Sequence, residues 1–265
     1  MATRLSNEET LQTKKKLVDD LSSIGLEPGM ILMVHSSLSS IGWVLGGAPT
    51  VITALFDVIG HQGTLAMPAA TPHCSDPASW DDPIIPETWF DEIRAHLPVF
   101  DPDITPTSMG AIAECFRTWP GTQRSNHPLS SVCANGRLAE DIISEHALAY
   151  SEGKGTPFEK LYNMNCWILL IGVGFNRCTA LHFAESLVAT RRVTTSRFPT
   201  LKDGQRIWVE VPDMANDNST HFPIVGEQFV TSKMATLGSI GSAKSMLFSM
   251  RELVDFASRY FENVL

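Results

Sequence analysis

The chain has 265 residues, of which 43% are hydrophobic and 18% charged, and it carries a formal net charge of −9 at pH 7. This acidic balance argues against nucleic acid as a partner, because phosphate binding needs basic patches, and it suits a cationic ligand. No apolar run approaches the roughly 20 residues of a membrane span. The five cysteines form no C-x-x-C pair and no signal peptide is visible, so we expect reduced thiols and a cytoplasmic location.

The first 67 residues predict a helix followed by a strand–loop–helix–strand unit. A capping box and an apolar stripe favour a helix over Ser6–Ile24. Met30–Val34 is a short apolar strand, and Pro49 opens a helix that Gly60 ends. The next strand is Thr64–Met67. This order is typical of a βαβ unit in an α/β protein.

Residues 68–106 differ from the rest of the chain. They are rich in Pro, Asp and Trp and contain few periodic segments. A long irregular stretch in a compact domain is typical of a lid or binding loop, and aromatic and acidic side chains together suit an amine or sugar-like ligand. The alternative is an ordinary surface excursion with Trp80 and Trp89 packed into the core. Both interpretations stay open on the sequence alone.

The remainder of the chain continues the alternation of helices and strands. Its predicted elements are helices at Met109–Phe116, Leu138–Ala149 and Ser249–Val264, a helical turn opened by Gly155, and strands at Trp167–Val173 and Arg206–Val211. The length is sufficient for one domain or two closely packed lobes.

A histidine–glutamate pair follows the most apolar strand. His182 and Glu185 lie three residues apart, on one face of a new helix for which Thr179 is the expected N-cap. The positive end of the helix dipole disfavours a protonated imidazole, so we expect His182 to be neutral at pH 7 and able to act as a general base. Such pairs are also common as plain helix-surface contacts. The position beyond a strand end, where ligand sites of α/β proteins gather, favours the functional interpretation.

Two further segments carry groups that bind anions. His35, Ser36 and Ser37 directly follow the first apolar strand, where backbone N–H groups and hydroxyls can hold a phosphate. Arg124 and Ser125 add a charged fork and a hydroxyl. The chain has no Walker A sequence and no G-x-G-x-x-G, so a nucleoside triphosphate or NAD has little support. The combination favours a ligand with a long polar tail that carries phosphates.

Short motifs in a characteristic order extend over nearly the whole chain. They are Val34–Trp43, Gly46-Gly47, Gly63–Pro68, Thr105–Thr107 with Met109-Gly110, Glu114–Thr118, Arg124–Pro128, Gly155–Phe158, Leu170–Gly174, the His182/Glu185 pair and Ile240–Ala243. Through these segments the chain resembles the aminoglycoside 3-N-acetyltransferase family of antibiotic resistance enzymes, and especially its branch of YokD-like proteins.

The resemblance implies one domain over residues 1–265, with three α/β/α layers around a mixed β-sheet and with residues 68–106 as an irregular insertion that forms part of the substrate cleft. It implies acetyl-CoA as the cosubstrate and an amine acceptor, in the named activity the 3-amino group of a 2-deoxystreptamine ring. His182 and Glu185 would be the base and its partner. By position, the residues that would line the CoA channel are His35, Ser36, Ser37, Leu38, Gly42, Trp43, Thr107, Arg124, Ser125, His127 and Phe158.

The sequence defines the acceptor less well than the donor. Asp76, Asp81 and Asp213 are the acids that we expect to bind a cationic amine. Two alternatives stay open, a CoA-dependent N-acyltransferase of a non-antibiotic amine and a non-catalytic CoA-binding protein. No spacing matches a zinc site, so we expect no metal. A thiol intermediate on Cys178 is conceivable, and so is a homodimer, because dimers are the commonest soluble assembly.

Overall fold

The computed structural model describes residues 10–215 and 220–265. In chain order the strands are β1 Leu11–Gln12, β2 Ile31–Ser36, β3 Trp43–Val44, β4 Thr64–Pro68, β5 Gln123–Arg124, β6 Val132–Gly136, β7 Trp167–Ile171, β8 Val193–Lys202, β9 Gln205–Met214, β10 Thr236–Ile240 and β11 Ala243–Ser249. The α-helices are α1 Lys14–Ser23, α2 Leu38–Ile41, α3 Ala48–Ile59, α4 Phe90–His96, α5 Ala111–Arg117, α6 Ala139–Ile143, α7 Pro157–Asn163, α8 Ala180–Ser186, α9 Phe222–Thr231 and α10 Met250–Val264.

Seven of these strands form a mixed sheet in the order β10-β11-β7-β2-β4-β6-β5. Strands β7, β2 and β4 run parallel at its centre, and the outer strands pair antiparallel. The central strands are largely apolar and buried, as expected of parallel strands that helices cover on both faces. The succession β2, α3, β4 confirms the predicted βαβ unit.

Helices cover both faces of the sheet. One face packs against α1, α3 and α5, through side chains such as Leu17, Leu55 and Phe116. The other face packs against α6 to α10, where Phe183 and Phe229 are examples. The fold is therefore a three-layer α/β/α sandwich around a mixed sheet, which confirms the predicted fold class. Burial of apolar surface on both faces, at about 25 cal/mol per Å², is the main stabilising contribution.

Several predicted boundaries shift because side chains near helix ends find partners that the sequence does not reveal. Helix α1 starts directly after Thr13, whose hydroxyl accepts a hydrogen bond from the first turn; residues 6–9, with the predicted capping box, lie outside the described residues. Helix α6 ends at Ile143, because the residues that follow bind polar groups of a neighbouring loop. Helix α10 begins as predicted, with Ser249 Oγ accepting from Glu252 N at 3.3 Å.

Two segments lie outside the seven-stranded sheet. Strands β8 and β9 form a separate antiparallel hairpin, of which the sequence predicted only part of β9. The insertion 68–106 contains α4 and three short 3-10 turns. Its Trp89 is 57% exposed, so this side chain is not packed into the core. Among the described helices, none combines the length and the apolar character that crossing a bilayer requires.

Candidate active site

An open cleft lies at the carboxyl end of strand β2, where ligand sites of α/β proteins gather. Its volume is about 590 Å³. The residues that line it are Ser36, Ser37, Leu38, Ser39, Gly42, Trp43, Val44, Gly47, Gly110 and Ala111. Five of the residues predicted for the CoA channel therefore share one accessible surface, and their contact with CoA stays a prediction.

Three helices begin at this cleft without a side-chain cap. The N-cap residues are Ser37 for α2, Gly47 for α3 and Gly110 for α5, and none of their side chains accepts a hydrogen bond from a backbone N–H of its helix. The first backbone N–H groups of a helix have no partner within it and carry the positive end of its dipole. The cleft is therefore suited to an anionic ligand such as a phosphate.

The second polar site lies at the start of α8, which follows strand β7. His182 is buried, with 7% of its surface exposed, and its Nδ1 lies 2.9 Å from Glu185 Oε2. Because a carboxylate only accepts hydrogen bonds, Nδ1 carries the proton and Nε2 is the ring nitrogen that can take another. Phe222 packs edge-on against the imidazole, with ring centroids 4.7 Å apart. The structure thus brings the predicted pair into contact.

The pKa of His182 is shifted in the direction opposite to the one expected from the sequence. Burial lowers its pKa, but the hydrogen bond to Glu185 and the charges of Glu152 and Asp213 act in the opposite direction and leave the pKa raised above its usual 6.5. Thr179 is the N-cap residue of α8, as predicted, but its hydroxyl does not make the expected hydrogen bond to the first turn of the helix. The hydrogen bond and the nearby carboxylates outweigh the effect of burial, so this imidazole is protonated more readily than an ordinary histidine.

Sequence analysis missed Ser151 and Glu152, which belong to the surroundings of His182. Ser151 Oγ lies 2.7 Å from Glu152 Oε2 and 3.0 Å from Asp213 Oδ2. Asp213 is 6% exposed and also accepts hydrogen bonds from Ser151 N and Ser196 Oγ. This corrects the interpretation of Asp213 as a direct acceptor ligand, because protein donors occupy its carboxylate. The sequence signal was one acid before a glycine-rich turn, which is too common to stand out.

Asp76 does not present a free carboxylate either. It is 6% exposed, and its oxygens lie 2.9 Å from Arg94 Nη2 and 2.6 Å from Arg197 Nη1. Burial raises its pKa, but these two arginines leave it lowered overall. We therefore correct the interpretation of Asp76 as an acceptor ligand. Asp81 lies on the exposed surface of the same insertion, and none of residues 68–106, all of which the structure describes, lines the cleft.

Arg124 has a structural task in place of the predicted contact with a phosphate. Its guanidinium donates to Ser131 Oγ at 2.8 Å, Thr105 O at 2.5 Å and Ala69 O at 2.8 Å. It also lies over the Phe100 ring, 4.8 Å from the centroid. Because Thr105 and Phe100 belong to the insertion, Arg124 fastens the insertion to the edge of the sheet. Its donors are engaged within the protein, and it does not line the cleft.

Three other residues predicted for the CoA channel lie in the interior. Ser125 is fully buried, and its Oγ lies 2.8 Å from His146 Nδ1. His127 is also fully buried, and its Nε2 donates to Leu148 O at 3.2 Å because its Nδ1 already accepts two backbone N–H bonds. Phe158 is 1% exposed in the core around α7. These positions support the fold, and the structure does not place them at the cleft.

His35 and Thr107 are close to cleft residues in the chain but do not line the cleft. His35 is 4% exposed, and neither ring nitrogen has a hydrogen-bond partner among the described residues. Burial lowers the pKa of His35 to about 4, so it is neutral at pH 7. The Thr107 hydroxyl donates to Ala70 O and its N–H donates to Glu114 Oε2, both at 2.9 Å. These bonds hold the turn that precedes Gly110.

The cleft and the His182 pair lie at the same edge of the sheet. Strands β2 and β7 are parallel neighbours, and Ser37 N donates to Ile171 O at 2.9 Å where they end. The chain then turns at Gly172 with a φ of 64°, and a side chain there would collide with Ser40. From the end of β2 the chain enters the cleft, and from the end of β7 it leads to α8.

Metal and thiol chemistry find little support in the described part of the chain. In residues 10–215 and 220–265, no three His, Cys, Asp or Glu side chains form a group that could hold a metal ion. Cys178 is 1% exposed, and burial raises the pKa of its thiol to about 12. Because the thiolate is the nucleophile, Cys178 is not suited to form a covalent acetyl intermediate.

Comparisons with known proteins agree with this architecture. A family model described as aminoglycoside 3-N-acetyltransferase matches residues 33–262. The SPbeta prophage-derived aminoglycoside N(3')-acetyltransferase-like protein YokD of Bacillus subtilis (strain 168) is 40% identical over 254 residues, which are 95% of this chain and 93% of the relative. Aminoglycoside N(3)-acetyltransferase IX of Micromonospora chalcea is 33% identical, over 94% of this chain and 93% of its own.

Solved structures of aminoglycoside acetyltransferases and of YokD are also similar to this protein. The crystal structure of YokD from Bacillus subtilis matches with a TM-score of 0.92 and 39% identity, and the match covers 96% of this chain and 95% of that one. The binary structure of AAC-IIIb with CoASH matches with a TM-score of 0.85 and 29% identity, over 96% and 97% of the two chains. Fold and sequence together define an enzyme of the acetyltransferase class. The chain belongs to the aminoglycoside 3-N-acetyltransferase family.

Proposed function

We propose that this protein transfers the acetyl group of acetyl-CoA to an amine, specifically the 3-amino group of a 2-deoxystreptamine aminoglycoside. One observation carries the proposal. An open cleft suited to phosphates and a buried His182–Glu185 pair lie at neighbouring strand ends, on one edge of the sheet. Family membership over residues 33–262 supports the same conclusion.

The donor binds in the cleft at the end of β2. CoA carries phosphates on a long polar tail, and the start of the twelve-residue helix α3, which has no side-chain cap, faces the same cleft. The structural similarity to AAC-IIIb, which was solved with CoASH, supports this assignment.

His182 acts as the general base in direct transfer. The acceptor nitrogen bonds to the thioester carbonyl carbon and loses a proton to His182 Nε2, while Nδ1 stays bonded to Glu185. The Glu185 carboxylate stabilises the imidazolium that forms. The carbon–sulfur bond then breaks, and the imidazolium returns the proton to the thiolate, which leaves an amide and free CoA. The buried, protonated thiol of Cys178 supports direct attack over a covalent enzyme intermediate.

The carbonyl oxygen gains negative charge as the amine adds, and it needs hydrogen-bond donors at that moment. Ser36 and Ser37 line the cleft and carry hydroxyls. The Thr107 hydroxyl is less suited, because it already donates to Ala70 O. The Ser37 hydroxyl already lies within hydrogen-bond distance of Ser39 Oγ and Ser40 Oγ, so we assign the main oxyanion donor to Ser36.

The carboxylates around His182 suit a cationic acceptor. Glu152 is half-buried and its charge already acts on His182. A bound ammonium group would offset the charges that raise the pKa of His182. Binding of the acceptor therefore favours the neutral imidazole that a general base needs, which couples acceptor binding to proton transfer.

The test measures release of free thiol from acetyl-CoA with a panel of aminoglycosides and simple amines. We expect turnover with 2-deoxystreptamine aminoglycosides, and we expect His182→Ala to lower it by about 10²–10⁴-fold. The exposed His61 provides a matched control, His61→Ala. CoA affinity, measured by calorimetry, should be the same in all three proteins.

Each other result of this assay has a clear meaning. Turnover confined to amines outside the aminoglycosides would retain the acetyl transfer and replace the acceptor. Binding of CoA without turnover on any amine would contradict the proposal and favour a non-catalytic CoA-binding protein. Near-normal turnover in His182→Ala would contradict the assignment of the base.

A further inference from the structure

One buried carboxylate joins the insertion 68–106 to the β8–β9 hairpin. Asp76 accepts two hydrogen bonds from Arg94 of α4, each 2.9 Å long, and one of 2.6 Å from Arg197 of β8. The Asp76 backbone N–H also donates to Arg197 O at 2.8 Å. We refer to Asp76, Arg94 and Arg197 as the Asp76 node. Its carboxylate faces two guanidinium groups, so its removal would leave Arg94 and Arg197 with only the exposed carboxylates of Asp91 and Glu210 as counter-charges.

The hairpin also completes the end of helix α4. The last carbonyls of a helix have no partner within the helix itself. Arg94 O accepts from Arg206 Nη2 at 2.6 Å and from Trp208 Nε1 at 3.2 Å, and Leu97 O accepts from Arg206 Nε at 3.1 Å. Side chains of β9 thus satisfy the carbonyl end of α4, and the insertion and the hairpin form one unit.

The hairpin depends on such contacts for its position. It is separate from the seven-stranded sheet, and most of its residues are not buried. An isolated two-stranded hairpin is marginally stable in water, because it has no apolar face to bury. Phe198 anchors the hairpin by packing against His127, and the Asp76 node adds the charged contact that fixes the hairpin to the insertion.

The same hairpin holds the chain segment that lies beside His182. Tyr150 N donates to Pro212 O at 2.9 Å, and Ser151 N donates to Asp213 Oδ1 at 3.0 Å. Within the hairpin, Ser196 Oγ donates to Asp213 Oδ2 at 3.1 Å. Ser196 directly precedes the arginine of the node in strand β8, so one short stretch of β8 contacts both the insertion and the Asp213 carboxylate.

We propose that Asp76 is a positioning residue for the acceptor side of the active site. By fixing the hairpin against the insertion, it holds Ser151 and Glu152 in place beside His182. Asp76 acts through the hairpin and does not touch the reacting atoms. This inference rests on the proposed function, because it assigns the acceptor side to Glu152 and its neighbours.

The experiment compares Asp76→Asn with Asp203→Asn, which makes the same chemical change at the exposed tip of the same hairpin. We expect Asp76→Asn to lower kcat/KM for the acceptor by about tenfold, because small misplacements of positioning groups have large kinetic effects. The KM for acetyl-CoA should stay unchanged. Asp203→Asn should leave all constants unchanged, and Asp76→Glu should restore part of the loss.

Hydrogen exchange gives a second readout that needs no turnover. In Asp76→Asn, backbone amides of residues 193–214 and 150–152 should exchange faster than in the parent protein, while those of β2 and β7 should not. If Asp76→Asn does not fold, Trp208→Phe is the milder variant, because it removes the indole N–H bond to Arg94 O and keeps an aromatic ring next to Arg197 and Arg206. Trp208→Phe should also raise the exchange of amides in residues 193–214 and 150–152, but by a smaller factor.

The outcomes separate the two proposals. If the parent protein acetylates amines and Asp76→Asn leaves the acceptor kcat/KM unchanged, the positioning role is wrong although the proposed function stands. If the parent protein acetylates no amine, the proposed function fails, and exchange at residues 150–152 decides the positioning claim. Unchanged exchange there would overturn it.

Discussion

Residues 36–43 and 124–127 are both rich in hydroxyl and other polar groups, but they face different surroundings. The first segment follows a central strand and opens into a cleft of about 590 Å³. The second turns inward, where Ser125 and His127 are fully buried and Arg124 binds carbonyl groups of the insertion. The same kinds of side chain thus line an accessible surface in one place and hold the fold together in the other. Accessibility of the donors, more than residue type, distinguishes a ligand site from a structural network.

The largest expected effect is on the inward-facing segment. Arg124→Gln removes the guanidinium donors that fasten the insertion, and Thr105 O loses its charged partner while Ala69 O keeps only the bond from Ser131 Oγ. We expect the free energy of unfolding to fall by about 3 kcal/mol, since hydrogen bonds to charged groups are among the stronger ones. Urea unfolding measures this loss, and calorimetry should show unchanged CoA affinity. Weaker CoA binding without a loss of stability would reverse the roles assigned to the two segments.

Acid should lower the stability of the protein through His146, which is hydrogen-bonded to Ser125 of the inward-facing segment. Burial and the neighbouring charge of His127 lower the pKa of His146 to about 3. An unfolded histidine binds a proton below about pH 6.5, whereas the folded one does not until far lower pH, so the free energy of unfolding should fall by about 1.4 kcal/mol per pH unit below 6.5. The free energy of unfolding is measured at neutral pH and at about pH 5. The difference between the two values should be smaller in His146→Gln than in the parent protein or in His61→Gln. An equal pH dependence in all three would contradict the assignment.

The open segment should respond to charge with a smaller change, and only in binding. Ser39 is exposed and lines the cleft, so Ser39→Glu places a carboxylate beside the expected phosphates. We expect CoA to bind about tenfold more weakly, equivalent to about 1.4 kcal/mol. The melting temperature should not change. Ser23→Glu adds the same charge on exposed helix α1 and serves as the control; equal effects of both variants would point to net charge and not to the cleft.

The smallest expected effect concerns the pH dependence of activity at the His182 site. Glu152→Gln removes one of the charges that raise the pKa of His182. Because the base must be neutral, the rising limb of the profile of acceptor kcat/KM against pH should move to lower pH. The exposed Glu145 provides the control Glu145→Gln. A limb that stays in place or moves to higher pH would show that Glu152 does not act on this imidazole.

Much of the fold could be predicted from local patterns. The apolar runs of β2, β4 and β7 identify central strands, and the capped start of α10 matches the sequence. The hairpin strand β8 and helix α9 were missed, and the helix predicted over residues 138–149 is short. Their lengths depend on contacts with distant segments, which no local pattern records.

Part of the candidate site could also be predicted from the sequence, and part could not. The spacing of His182 and Glu185 places both side chains on one turn of a helix, and the polar residues after β2 emerge at a strand end, so both followed from the sequence. The direction in which the pKa of His182 is shifted could not be predicted from the sequence, since it depends on Glu152 and Asp213, which are distant from His182 in the chain.

By itself, the sequence therefore determined the α/β layering, the cleft at the end of β2 and the histidine–glutamate pair, because each depends on residues that are neighbours along the chain. Only the tertiary structure decided which charged groups are free. Asp76, Arg124 and Asp213 each meet partners far away in the chain, and those partners occupy the donors and acceptors that a ligand would otherwise use. Hydrogen bonding and burial act through space, so the role of a charged side chain is settled only when the distant segments have packed.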